Sequence, residues 1–111
     1  GTHSKDSVDY PDFAELMAQN LRDDNEYGVL ICGTGIGISI AANRHAHVRC
    51  ALCHDVTTAK LAREHNDANV LAMGARTTGD AVAADMIKAF FDTEFAGGRH
   101  EKRVKKLGGE K

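Results

Sequence analysis

One stretch constrains this chain more than any other: Val29-Leu30-Ile31-Cys32-Gly33-Thr34-Gly35-Ile36-Gly37-Ile38-Ser39. An apolar run of strand type breaks into glycines at 33, 35 and 37, and a short helical pattern follows through Asn43. Strand, glycine turn and helix start, in that order, gather backbone N–H groups and a positive helix end around one concave spot. Such a spot suits an anion, either a phosphate or an oxyanion formed during a reaction. Cys32 sits at its lip, where helix N-termini favour the thiolate. Glycine turns of this kind also serve packing alone, and buried cysteines are mostly inert, so the residues by themselves leave both readings open. The spacing is not the dinucleotide fingerprint G-x-G-x-x-G, because the third glycine comes one residue early, and the Gly-Lys-Ser/Thr ending of a P-loop is missing.

The flanking sequence repeats the alternation. Asp9 can cap a helix from Tyr10 to Arg22, with Pro11 in its first turn and Phe13, Leu16, Met17 and Leu21 as its apolar stripe. Tyr27 to Cys32 reads as the first strand, Ile36 to Asn43 as a helix, Val48 to Cys53 as the second strand and Ala68 to Met73 as the third. Asp55 caps a helix running to about His65, and Thr77 or Thr78 caps the next, where Val82, Met86, Ala89 and Phe90 recur at helical spacing. Gly97-Gly98 breaks the chain before a basic tail from Arg99 to Leu107. Strands alternating with helices predict an α/β fold: a three-layer, Rossmann-like parallel sheet with helices on both faces and a C-terminal helical tail.

A length of 111 residues fits one domain, 1–111, with a small core. A net charge of −2 argues against general nucleic-acid binding, and no apolar run is long enough to span a bilayer. Three cysteines and an opening without a signal-peptide pattern point to a reducing cytoplasm.

Two further patterns need weighing. Cys50-Ala51-Leu52-Cys53-His54 spells C-x-x-C-H, the haem attachment pattern, but it reads as a strand in which residues three apart point to opposite faces. A zinc site fails for want of a second Cys/His pair at ligand spacing, so no metal is expected. His65, in a last helical turn, is either a partner for the helix dipole or an acid/base group. Arg76, Arg99, His100 and Arg103 form either a solvated basic face or a phosphate clamp, since guanidinium forks match phosphate oxygens.

Taken together these blocks resemble the ribose-5-phosphate isomerase B family, within the sugar-phosphate isomerases. The resemblance runs over nearly the whole length: Gly-Thr-His-Ser at 1–4, Asp-Tyr-Pro at 9–11, Ile-Cys-Gly-Thr-Gly-Ile-Gly-Ile-Ser at 31–39 and Ala-Ala-Asn-Arg at 41–44. It continues through Arg-Glu-His-Asn-Asp-Ala-Asn-Val-Leu-Ala-Met-Gly-Ala-Arg at 63–76 and Gly-Gly-Arg-His at 97–100. The Glu-His-Asn-Asp block looks like the ribose-phosphate branch rather than the galactose-phosphate one. The resemblance implies interconversion of ribose 5-phosphate and ribulose 5-phosphate without metal or organic cofactor. It also implies Cys32 as the base moving a proton between C1 and C2, with Thr34 shuttling protons between the two oxygens. His65, with Asn66 nearby, would assist furanose opening, and Arg76, Arg99 and Arg103 would hold the phosphate. Tyr10, Gly33, Gly35, Ile36, Gly37 and Ser39 would line the sugar and enediolate site. The nearest alternatives are a hexose-phosphate isomerase, such as one acting on galactose 6-phosphate, and a phosphosugar-binding module without catalysis.

Topology adds an expectation of its own. Cys32 should lie at the C-terminal edge of the sheet and His65 at the opposite one, so each active site should combine Cys32 of one copy with His65 of another, in a homodimer or tetramer. Members of the family begin with a further strand and helix ahead of the Gly-Thr-His-Ser block. That strand should be interior to the sheet, so these 111 residues are expected to be part of a longer polypeptide, with doubtful activity alone.

Overall fold

The computed structural model describes residues 9–21 and 26–108. The Gly-Thr-His-Ser block, Arg22 and the turn at 23–25 lie outside the described residues. The chain runs α1 (Tyr10–Asn20), β1 (Gly28–Cys32), α2 (Ile36–Asn43), β2 (Cys50–Leu52), α3 (Val56–Asn66), β3 (Val70–Gly74), α4 (Asp80–Asp92), a 3-10 turn (Gly98–His100) and α5 (Glu101–Leu107).

The strand with the most continuous apolar sequence, β3, takes the middle. All five of its residues are buried, as suits a strand covered on both faces. β1 pairs parallel along one side, from Gly28 opposite Val70 to Cys32 opposite Gly74. β2 pairs parallel along the other, from Cys50 opposite Val70 to Leu52 opposite Ala72. The order is β1-β3-β2, and among the described strands β1 and β2 each have a partner strand on one side only.

The pleat of β3 sends Val70 and Ala72 to one face and Leu71 and Met73 to the other. On the first face Ala14 and Ala18 of α1 and Ile38 and Ala42 of α2 close over Leu30, Val70 and Ala72. On the second, Ala59 and Ala62 of α3 and Met86 and Phe90 of α4 cover Leu71 and Met73. Phe90 is fully buried, and removing its ring from water stabilises the second layer by about 2–3 kcal/mol. These are the three layers expected from the alternating pattern.

Several boundaries differ from expectation: α1 ends at Asn20, with Leu21 already extended, and β3 is Val70–Gly74 rather than 68–73. β2 is Cys50–Leu52 rather than 48–53, because the Arg49 N–H is taken by the side-chain carbonyl of Asn69 at 2.7 Å and not by a strand. Neither Thr77 nor Thr78 caps α4. Their N–H groups turn back to the Gly74 carbonyl at 3.2 and 3.0 Å, and Gly79 takes the cap position. β1 starts at Gly28, one residue after Tyr27. Asp55 does cap α3, accepting from the Thr58 N–H at 2.7 Å. Cys50 packs toward the first layer and Cys53 lies in the second, as strand alternation predicts. Burial pushes the Cys50 thiol up to about 12, with Cys53 adding to the rise.

The outer side of β2 is closed by a side chain. The amide of Asn43 donates to the Cys50 carbonyl at 2.9 Å and accepts from the Cys50 N–H at 2.7 Å, much as a neighbouring strand would.

Candidate active site

At the C-terminal end of the sheet, β1 finishes at Cys32 and the chain turns through Gly33, Thr34 and Gly35 into α2. Gly35 has φ +82, the left-handed region, and a Cβ there would sit 2.5 Å from Leu52 Cδ1 and 2.8 Å from the Met73 carbonyl carbon. Only glycine fits. That conformation points the Gly35 N–H back at Cys32, donating to Sγ at 3.2 Å. Negative charge on the sulfur thus has a backbone donor beside it, at the start of a helix.

The neighbouring turn is tied to the same spot. Ala75 N–H donates to the Cys32 carbonyl at 2.8 Å and Arg76 N–H to the Gly33 carbonyl at 2.9 Å. Arg76 therefore lies over Gly33, where a Cβ would meet its Nε at 3.6 Å. Tyr10 lies against Gly37 so closely that a Cβ there would collide with its ring and hydroxyl. Thr34 is exposed, and its hydroxyl accepts from the Ile36 N–H at 3.2 Å. Ile36 is exposed beside it. Ser39 is turned away: it is buried, and its hydroxyl donates to the Ile36 carbonyl at 2.7 Å. A groove of about 690 Å³ reaches Cys32 and Gly33 along β1, lined by Tyr10, Phe13, Leu16 and Met17.

His65 and Asn66 stand elsewhere. They close α3, which leads back to the start of β3, whereas Cys32 lies in register with its last residue, Gly74. The start and end of β3 are four strand steps apart, about 13 Å. His65 stacks on His100 with ring centroids 4.4 Å apart and planes 17° from parallel. Partial desolvation, then repulsion from His65, Arg99 and Arg103, hold His100 below its ordinary 6.5. Arg99 and Arg103 thus belong to the His65 end and Arg76 to the Cys32 end, so the arginines of the expected clamp divide between the two.

The arrangement beneath His65 is one that sequence reasoning missed. Asp67 follows Asn66 in a left-handed conformation, φ 47, the only non-glycine residue with positive φ among those described. Its carboxylate lies between two buried guanidiniums, 2.9 Å from Arg63 Nη1 and 3.5 Å from Arg49 Nη2. The one local hint was an aspartate where a helix end favours glycine or asparagine, four residues after an arginine.

Residues 1–107 match the family model described as Ribose/Galactose Isomerase. Ribose-5-phosphate isomerase B of Escherichia coli is 43% identical over 108 residues, covering 96% of this chain and 72% of that protein. D-erythrulose-4-phosphate isomerase of Pectobacterium atrosepticum is 44% identical over 100 residues, 89% of this chain and 66% of that protein. The solved structure of type B ribose 5-phosphate isomerase from Trypanosoma cruzi superposes with a TM-score of 0.92 at 50% identity, over 96% of this chain and 73% of that one.

Proposed function

The chain belongs to the ribose/galactose isomerase family, and from that premise we propose that it interconverts ribose 5-phosphate and ribulose 5-phosphate with Cys32 as the base. The observation that carries this reading is the Gly35 N–H donating to Cys32 Sγ at the mouth of the glycine turn. It supports the reading that the thiol and the amides of the turn serve one bound sugar.

The chemistry follows from that juxtaposition. The Cys32 thiolate takes the C2 proton of the open-chain aldose, the electron pair forms a C1–C2 double bond, and O1 becomes an oxyanion. N–H groups around Gly33 to Gly37 hold that charge as it develops, which is where preorganised donors act most strongly. Thr34, exposed at the turn, relays the O2 proton to O1. The Cys32 thiol then returns its proton to C1, leaving a carbonyl at C2. Tyr10 and Ile36 border the sugar, and Ser39 supports the turn from behind through α2.

The ring-opening histidine and two of the phosphate-binding arginines come from the other end of the sheet. His65 and Asn66, with Arg99 and Arg103, lie too far from Cys32 of the same copy, so a second copy supplies them, and a homodimer with two shared sites is the simplest assembly. Arg76, over Gly33, reaches the phosphate from the Cys32 side. Three thiols in a chain of this kind suit a reducing cytoplasm. Among the described residues no helix is long and apolar enough to cross a membrane.

One experiment tests base and assembly together. Cys32→Ala and His65→Ala enzymes are each expected to lose about 10²- to 10⁴-fold in turnover while still binding sugar phosphate. Mixed and re-equilibrated, they should regain roughly a quarter of wild-type rate, because half the dimers then carry one intact site. Full turnover by the Cys32→Ala enzyme removes the base, and no recovery on mixing removes the shared site.

A further inference from the structure

The two imidazoles that stack at the N-terminal end of the sheet come from segments with nothing local in common. His65 is in the last turn of α3, and His100 follows a bare connection, residues 93–97, out of α4. Both segments are fastened to one side chain. Arg63 is only 2% exposed, yet every nitrogen of its fork has a partner. Nη1 donates to Asp67 Oδ1 at 2.9 Å and to the Ala68 carbonyl at 2.7 Å, and Nη2 donates to the Tyr27 hydroxyl at 2.7 Å. Nε donates to the Thr93 carbonyl at 3.1 Å. Its guanidinium also lies 4.5 Å from the centre of the Tyr27 ring. One residue further, the Glu64 carbonyl accepts from the Ala96 N–H at 3.0 Å.

Asp67 completes the fastening from the other side. Besides holding Arg63, it accepts from Arg49 Nε through its backbone carbonyl at 2.8 Å, while its own N–H bonds back to the Arg63 carbonyl at 3.3 Å. Asn69, fully buried, locks the following turn, accepting from Arg49 N–H at 2.7 Å and donating to the His47 carbonyl at 2.8 Å. A left-handed aspartate with its carboxylate between two buried arginines is an arrangement that costs conformational energy, and such strain persists only where the surroundings over-determine it. What it fixes is the direction in which α3 ends, two residues after His65.

We propose that Asp67 and Arg63 are positioning residues for the ring-opening step, holding His65 face to face with His100. This rests on the assignment of His65 to furanose opening given above. Neither residue touches the sugar. Their effect is on where the two rings sit, and misplacement by about 1 Å of a group that must meet a particular oxygen costs on the order of 10²-fold.

Substrates that can and cannot form a ring separate this role from a general structural one. Ribose 5-phosphate closes to a furanose; erythrose 4-phosphate cannot, because the oxygen that would close the ring carries the phosphate. The experiment uses the full-length enzyme with Asp67→Gly, which suits the left-handed backbone, and Asp67→Asn, which keeps the side-chain shape. Both variants are expected to lose about 10- to 100-fold in kcat on ribose 5-phosphate with little change in KM, and to keep their rate on erythrose 4-phosphate. In parallel, the ring-proton signals of His65 and His100, shifted upfield by the stacked partner, should move toward their unstacked positions. Equal losses on both sugars, or unchanged ring signals in both variants, overturn the proposal. If the wild-type enzyme acts on neither sugar, the isomerase reading fails by itself, and the ring signals alone decide whether Asp67 positions the pair.

Discussion

The two ends of the sheet are built from different materials. At the C-terminal end the turn is built from N–H and C=O of consecutive residues, and side chains are mostly removed to make room: Arg76 enters the space left at Gly33, Tyr10 that at Gly37, and Leu52 and the Met73 carbonyl that at Gly35. At the N-terminal end Asp67 and the Gly97-Gly98 pair before His100 have positive φ, and a buried network of Arg49, Arg63, Asp67, Asn69 and Tyr27 fixes the geometry. The first end costs little to fold, because its donors need no burial of charge. The second takes two guanidiniums out of water and must recover that cost by completing nearly every hydrogen bond. Damage should therefore weigh more on chemistry than on stability at the first end, whereas at the second, loss of the arginine network should lower stability as well as turnover.

Arg63→Met tests the second half of that contrast and carries the largest expected effect. It strands the Tyr27 hydroxyl and the Ala68 and Thr93 carbonyls and removes a buried charge partner from Asp67. A loss of about 3 kcal/mol is expected, lowering the melting temperature by on the order of 10–20 °C in a thermal scan. A melting curve matching wild type would show that the network contributes nothing net.

Gly35→Ala probes the other end. The left-handed backbone and the approach of Leu52 and the Met73 carbonyl should cost about 2 kcal/mol, while turnover falls by about 10²-fold or more because the N–H facing Cys32 is redirected. Steady-state kinetics beside a melting curve reads both. A variant destabilised but fully active would break the contrast.

The smallest effect concerns acid. His100 has its folded-state value held below the ordinary 6.5, so the unfolded chain binds more protons across the interval between the two. Stability then rises with pH through that interval and is lost as pH falls from about 6.5. The groups facing His100 are His65, Arg99 and Arg103, all of which add repulsion once it is charged. His100→Gln should flatten this acid limb in melting curves taken across the weakly acidic range, and an unchanged limb would assign it to other groups.

The same contrast explains what could be read in the sequence. The glycine turn and its cysteine were legible because a strand–turn–helix made of adjacent residues writes its requirements locally, and so were α2 and the apolar run of β3. The layers followed from periodicity. The Arg63 network was not legible, since its partners lie at 27, 67, 68 and 93 and only Asp67 and Ala68 are close in sequence. The length of β2 was missed for a related reason: a buried amide from Asn69 took the N–H that would have extended it. Ser39 sat in the right block, but the spending of its hydroxyl inside α2 depends on the fold and not on the local sequence.

Asn43 gives the sheet a direction of growth. By answering both backbone groups of Cys50, its amide occupies the place where a foreign strand would start to zip onto β2. Among the described strands that leaves β1 as the other edge, beside the groove leading to Cys32. A single carboxamide thus stands in for a neighbouring strand at the first residue of β2, and a change at Asn43 would uncover the pair of backbone groups most ready to recruit one.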